Sequence, residues 1–159
     1  MNYRVYDKKE KKWIREDVYI SPNGDLYISK KSLFGTEKLS LGSDTRYTYH
    51  RWIELYDKNR KRIFEGDICT IEIESEYGIV VNIGVITYIP EHASYYLLDH
   101  KNLKYYPLVE FNSEKHIEVV GNCFDNEGLI SYEEEVEYDG YKEEAEYDAV
   151  KRQNTVWCY

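Results

Sequence analysis

Short runs of alternating apolar and polar residues, separated by turn residues, fill most of this chain. Such alternation is typical of β-strands, whose side chains point in turn to the two faces of a sheet. The runs at residues 17–21 and 25–29 flank a Pro-Asn-Gly turn, which predicts a hairpin. A further extended segment is predicted for residues 45–56. Residues 30–46, rich in Ser, Thr, Gly and Lys, are interpreted as an irregular connection.

The clearest alternation lies between residues 67 and 122. It comprises five apolar or alternating runs, at residues 67–73, 80–89, 95–98, 105–111 and 117–121. Five short strands, opened by a Gly-Asp-apolar sequence, predict a small five-stranded SH3-like barrel over residues 63–128. Residues 1–62 then form an N-terminal region of β-hairpins, and residues 129–159 form a C-terminal extension.

A fourteen-residue pattern occurs twice, at residues 5–18 and 55–68, and the two copies align without a gap. Each copy reads apolar-Tyr, then Asp-Lys-x-x-Lys with a basic residue, then two apolar residues and an acid. The order predicts strand, turn and strand, because an Asp at the start of a turn accepts hydrogen bonds from backbone amides two residues on. The same kind of hairpin is therefore predicted twice.

Composition agrees with a mainly β, or β-rich α+β, fold. The chain has 159 residues, enough for one compact domain, and 42% of them are hydrophobic. Tyr is unusually common, with 18 residues against four Phe. Tyr favours strands and half-buried positions where the ring packs and the hydroxyl stays hydrated.

Charge is distributed unevenly along the chain. The net charge of −9 is the sum of +6 over residues 1–62 and −15 over residues 63–159. Three arrangements fit this asymmetry: two surfaces with different partners, head-to-tail self-association, or two halves that neutralise each other in one fold.

The C-terminal extension carries most of the negative charge. Residues 132–148, hereafter the acidic segment, contain nine Asp and Glu, four Tyr and one Lys. Residues 143–153 could form a short helix, with acids early and basic residues late. The alternative is a disordered, solvated extension. The acidic segment could also mimic a nucleic acid, engage a basic surface of a partner, or dock on the basic half of the chain.

The sequence holds no pattern that favours catalysis, a metal or a cofactor. It lacks a P-loop, a dinucleotide fingerprint, a nucleophile elbow, an HExxH motif and a CxxC motif. The histidines are scattered, at His50, His92, His100 and His116. No run is apolar enough to span a membrane and no secretory signal opens the chain. With three unpatterned cysteines, we expect a reduced, cytoplasmic, non-enzymatic protein without a cofactor.

Binding is the function class that the residues favour. The candidates are basic side chains of the two predicted turns and nearby tryptophans: Lys8, Lys9, Lys11, Lys12, Trp13, Trp52, Lys58, Arg60, Lys61 and Arg62. Contact with a protein, or self-assembly into a homo-oligomer, is the first interpretation. Nucleic-acid binding is the alternative, because basic groups neutralise phosphates and aromatic rings stack on bases. The negative total charge argues against the alternative.

Three stretches carry a family likeness. They are residues 3–7 with the following Lys-Lys-Trp-Ile, residues 55–68, and residues 117–126 with the sequence IEVVGNCFDN. Their order resembles the YopX family of small phage and prophage proteins of low-GC Gram-positive bacteria, over residues 2–130. The resemblance implies a mostly β fold, phage origin and action in the host cytoplasm. It implies no agreed activity and no catalytic residues. Arg60 stands where the family usually has glycine, and the last 30 residues lie beyond its usual end.

Overall fold

A computed structural model of the chain describes residues 2–23, 25–33, 35–42 and 45–130. These residues form twelve β-strands: β1 (Tyr3–Asp7), β2 (Lys12–Trp13), β3 (Asp17–Ile20), β4 (Leu26–Ser32), β5 (Gly35–Gly42), β6 (Tyr47–Tyr56), β7 (Arg62–Phe64), β8 (Asp67–Ser75), β9 (Gly78–Ile89), β10 (Ser94–Asp99), β11 (Lys104–Pro107) and β12 (Ile117–Asn122). The helical elements are α1 (Ser113–His116) and 3₁₀ turns at Pro90–His92, Leu108–Glu110 and Glu127–Leu129. The predicted mainly β class is confirmed. The helix predicted for residues 143–153 lies outside the described residues.

The strands form three antiparallel sheets. The first has the order β3-β4-β5, the second β2-β1-β6-β7, and the third β11-β10-β9-β8-β12. The third sheet contains the five strands predicted between residues 67 and 122, and it curls into a half-barrel with β11 and β12 at its edges. The hairpin predicted around the Pro-Asn-Gly turn is also present, as β3 and β4.

The interpretation of residues 30–46 as an irregular connection was wrong. β4 runs on to Ser32 and β5 pairs with it along its length, with Ile28 opposite Leu39. The physical reason is that the few apolar residues of this stretch alternate. Leu41 packs with Ile28 against the core of the first sheet, and this contact keeps the polar strand in the sheet.

β6 connects two hydrophobic cores. The smaller core lies between the first two sheets and consists of Val5, Val18 and Leu26 with Ile14, Ile20, Ile28, Leu41 and Tyr47 around them. The larger core lies between the second and third sheets and consists of Ile63, Cys69, Ile71, Ile86, Leu97, Leu108, Ile117 and Val119. Tyr47 at the start of β6 packs in the smaller core, whereas Ile53 and Leu55 near its end pack in the larger one. The N-terminal hairpins and the third sheet therefore share one packed body.

The turn between β7 and β8 requires a glycine. Gly66 has φ +74°, and its amide donates to the Ile86 carbonyl at 2.8 Å while its carbonyl accepts from the Cys123 amide at 3.0 Å. A Cβ at this position would lie 2.4 Å from the Cε1 atom of the buried His50 ring. Gly66 thus marks a close approach of this turn to three other chain segments, at His50, Ile86 and Cys123.

We expect Gly66→Ala to lower the free energy of unfolding by about 3 kcal/mol, since it combines a left-handed backbone with a steric overlap in a packed site. Urea denaturation followed by circular dichroism measures the change. Gly128→Ala is the matched control, because a Cβ there meets nothing within 4 Å. We expect this control to stay within about 0.5 kcal/mol of the wild type. Equal effects of the two substitutions would contradict the assignment of Gly66.

Candidate binding groove

The first basic turn is organised by Asp7. Its Oδ1 accepts hydrogen bonds from the amides of Lys9 at 3.0 Å and Glu10 at 3.1 Å, and Lys11 closes the turn with φ 51°. Arg46 Nε donates to the same Oδ1 at 2.8 Å, and this bond lowers the pKa of Asp7. Four exposed basic side chains follow from this geometry: Lys8, Lys9, Lys11 and Lys12.

The second basic turn is organised by Asp57 in the way that Asp7 organises the first. Its Oδ1 accepts from the amides of Asn59 at 2.9 Å and Lys61 at 2.8 Å, as the repeated pattern predicts. Its Oδ2 accepts from the buried amide of Val119 in β12 at 3.0 Å. The left-handed residue is Arg60, with φ 60°, so an arginine occupies the conformation that a glycine would adopt more easily. This turn is therefore bonded to the third sheet.

The two basic turns lie at opposite ends of β6. Asp7, where the first turn begins, pairs with Tyr47 at the start of this strand, and the second turn follows Tyr56 at its end. Ten residues of strand separate them by roughly 30 Å. The structure therefore does not bring the ten candidate residues together into one patch.

Several charged side chains of the second turn are engaged within the fold. Lys58 Nζ lies 2.9 Å from Glu72 Oε1 and 2.8 Å from Glu118 Oε2, and these bonds raise the pKa of Lys58. The Arg62 guanidinium lies 4.6 Å from the centre of the Trp52 ring. These contacts hold the second turn to its neighbours, whereas Arg60 and Lys61 are exposed.

An ion pair between the half-buried Arg4 and the buried Asp67 lies beneath the first turn. Arg4 Nη2 is 2.6 Å from Asp67 Oδ1 and 3.2 Å from His50 Nδ1, and Asp67 Oδ2 accepts from the Phe64 amide at 2.8 Å. The Arg4–Asp67 contact is a close ion pair without an aligned hydrogen bond, and Arg4 Nε has no hydrogen-bond partner among the described residues. Burial raises the pKa of Asp67, and the charge of Arg4 opposes that rise.

Aromatic rings connect this ion pair to the first turn. Tyr6 stacks on Phe124 with ring centres 4.2 Å apart, and His50 stacks on the same ring at 5.4 Å. Trp13 lies across their edges, and the Arg4 guanidinium is 4.5 Å from its centre. Trp13 Nε1 donates to Asp125 Oδ2 at 2.7 Å. The ring of Trp13 is thereby fixed at the base of the first turn.

A groove of about 690 Å³ opens beside Trp13, between the first turn and the first sheet. Its apolar lining consists of Trp13, Ile14, Ile28, Leu41 and Tyr47. Its basic residues are Lys11, Lys12 and Arg15, and its acidic residues are Asp7, Glu16 and Asp125. Asp7 is bonded to Arg46 and Asp125 to Trp13, so two of the three carboxylates are already engaged. The groove therefore presents an apolar floor, and the basic groups at its rim form no ion pair with another described residue.

Some of the residues that line this groove were predicted from the sequence, and others were not. Lys11, Lys12 and Trp13 were candidates and they line it. Leu41 was missed because it lies in the stretch interpreted as irregular, although its alternation with Leu39 was a readable signal. Asp125 lies 112 residues from Trp13 in the chain, and only folding brings the two together.

The described part of the chain lacks two further features. It contains no group of three or more His, Cys, Asp and Glu side chains placed to hold a metal ion. None of its helices is long and apolar enough to cross a membrane.

Comparison with known proteins agrees with the sequence likeness. The model of the YopX protein family matches residues 2–131. This chain belongs to the YopX family. The predicted resemblance is thus confirmed, and the match includes both basic turns and the whole groove. Among curated proteins, none matches the chain.

Two solved structures were compared with the chain for likeness of fold. The X-ray structure of protein YopX from Bacillus subtilis has a TM-score of 0.57 at 14% identity, covering 82% of this chain and 98% of that one. The crystal structure of protein EF1440 from Enterococcus faecalis has a TM-score of 0.49 at 18% identity, covering 82% and 97%. At these identities the likeness to B. subtilis YopX shows the fold alone. The acidic segment of this YopX-family protein lies beyond the family match.

The buried His50 makes the stability of this YopX-family protein depend on pH. Burial first, and then the nearby Arg4 charge, lower the pKa of His50 to about 3 from its usual 6.5. Below about pH 6.5, His50 binds a proton in the unfolded chain but not in the folded one. The free energy of unfolding therefore falls as the pH drops below about 6.5. We expect this residue to contribute a loss of up to ~1.4 kcal/mol per pH unit between pH 6 and 4.

The matched variant is His50→Gln, which keeps a polar group beside Arg4 and does not titrate. We expect it to be less stable than the wild type at neutral pH, with a difference that narrows on acidification. Urea unfolding at a series of pH values measures both curves. Parallel curves for the two proteins would contradict a neutral, buried His50.

Proposed function

We propose that this YopX-family protein acts by binding a short segment of a protein partner in the groove beside Trp13. It does so without enzymatic chemistry, in the cytoplasm of a bacterial host during phage growth or lysogeny. The observation that carries the proposal is the combination of an apolar floor with basic groups at the rim that form no ion pair with another described residue. A segment with acidic and aromatic side chains complements both features, because aromatic anchors fill apolar pockets and opposite charges steer association.

The form of the groove supports a protein segment over a nucleic acid. A nucleic-acid backbone is held by a continuous positive track. The two basic turns lie at opposite ends of β6, and Lys58 in the second turn is bound by Glu72 and Glu118. The groove rim also carries Glu16. A short ligand that uses only Lys11, Lys12 and Arg15 fits this distribution better than a long polyanion.

The environment of the carboxylates supports binding over catalysis. Arg46 binds Asp7, and the Trp13 indole and the Asn122 amide both donate to Asp125 Oδ2. A general acid or base must exchange a proton with its substrate. These two carboxylates instead position the turn and the indole ring that form the groove wall.

We expect Lys11→Glu/Lys12→Glu to abolish retention of a partner. The full-length protein is immobilised, exposed to lysate of a Gram-positive host, and the retained proteins are quantified by mass spectrometry. The control is Lys104→Glu/Lys115→Glu, which changes the net charge equally at exposed positions outside the groove. A partner held by the wild type and the control, and lost from the groove variant, supports the proposal. Equal retention by all three proteins would overturn it.

Oligonucleotide binding tests the alternative function, in which the partner is a nucleic acid. Fluorescence anisotropy with single- and double-stranded DNA and RNA is measured at low and physiological salt. We expect only weak, non-specific binding, with a Kd on the order of 10⁻⁴ M at physiological salt. Tight binding that weakens steeply with salt and disappears in Lys11→Glu/Lys12→Glu would show that the partner is a nucleic acid and not a protein.

A further inference from the structure

We propose that the acidic segment, residues 132–148, occupies the groove of its own molecule until a partner displaces it. This inference rests on the proposed function, since it assigns an occupant to the same groove. Three features support it: where the described chain ends, the charge of the segment, and the aromatic residues that it carries.

The described chain ends close to the groove. Asp125 lines the groove and bonds to Trp13. After it the chain turns back, with the Leu129 amide donating to the Asn126 carbonyl at 2.9 Å, and Ile130 is buried beside Ile68 and Val85. Five residues beyond Asp125 span at most about 17 Å, and this turn makes the distance shorter. A few further residues therefore reach the rim.

The charges of the segment and the rim are complementary. The segment carries nine acids and one Lys. None of the ion pairs among the described residues involves the exposed basic groups of the first turn and its neighbour, namely Lys8, Lys9, Lys11, Lys12 and Arg15. Arg60 and Lys61 of the second turn are also exposed, but the first turn is the one that borders the groove. An acidic chain there meets unpaired positive charge next to apolar side chains.

The segment also carries groups for the apolar floor. Tyrosines lie among its acids at Tyr132, Tyr138, Tyr141 and Tyr147, together with Val136. Tyr rings supply large apolar area while the hydroxyl stays hydrated, and they are frequent anchors of interfaces. Charge attracts the segment to the rim, and the rings give it contacts with Ile28, Leu41 and Tyr47.

The short tether favours the same molecule over a second copy. A segment joined by a few residues experiences an effective concentration in the millimolar range, well above usual protein concentrations. Even weak contacts are then made within one molecule. The groove is thereby self-occupied, and a partner binds only if its own segment outcompetes residues 132–148.

A competition experiment tests self-occupancy in the full-length protein. The probe is a fluorescein-labelled peptide of residues 131–148, and its binding is followed by anisotropy. The test variant is Glu133→Gln/Glu134→Gln/Glu135→Gln/Glu137→Gln, which weakens the resident segment. We expect this variant to bind the peptide at least tenfold more tightly than the wild type. Adding Lys11→Glu/Lys12→Glu should remove the binding, whereas adding Lys104→Glu/Lys115→Glu should leave it intact.

Each outcome decides the question. Equal affinity of the wild type and the test variant overturns self-occupancy. If that shared affinity still depends on Lys11 and Lys12, the groove keeps its proposed function and only the occupant is wrong. Absence of peptide binding to the test variant also overturns self-occupancy, while partner retention from lysate tests the proposed function separately. Sedimentation could instead show concentration-dependent assembly that is lost in the test variant. That result would mean that the acidic segment occupies the groove of a second copy and not of its own molecule.

Discussion

The ion pair between Arg4 and Asp67 connects the main parts of this protein. Arg4 belongs to β1 in the second sheet and Asp67 opens β8 in the third, so the 2.6 Å contact joins two sheets that pack around one core. Removing the Arg4 charge would leave Asp67 buried without its partner, a costly state in a protein interior. The Arg4 guanidinium also faces the Trp13 ring, and this ring forms one wall of the groove. Fold integrity and the shape of the candidate site thus depend on the same interaction.

The two basic turns show how one local device takes different roles. In each turn, an aspartate at the strand end accepts hydrogen bonds from backbone amides and shapes a turn rich in Lys and Arg. Asp57 also bonds to Val119 in β12, and Lys58 is held by two glutamates, so the second turn joins the hairpin to the third sheet. Asp7 is neutralised by Arg46, and the lysines of its turn are exposed beside an apolar groove. The first turn is therefore the one suited to recognition.

Much of the fold could be predicted because strand signals are local. Alternation and turn residues located the five strands of the third sheet, β6 and the hairpin of β3 and β4. The prediction failed at β5, where the alternation of Leu39 and Leu41 is sparse and the packing of Leu41 against the smaller core helps to keep the strand in place. For the site, exposed lysines of the first turn were visible from charge and spacing. The groove wall from Leu41 and the bond from Trp13 to Asp125 depend on residues distant in sequence.

Local sequence patterns alone indicate the mainly β class, the repeated Asp-based hairpin, membership of the YopX family and the contrast between a basic start and an acidic end. These follow from side-chain periodicity, turn chemistry and charge, which act over a few residues. It took the folded structure to show that the two basic turns lie at opposite ends of β6, and that Lys58 of the second turn is paired with Glu72 and Glu118. The reason is that strand pairing and core packing bring together residues that no local pattern relates. One turn thereby became part of the scaffold and the other the edge of a groove.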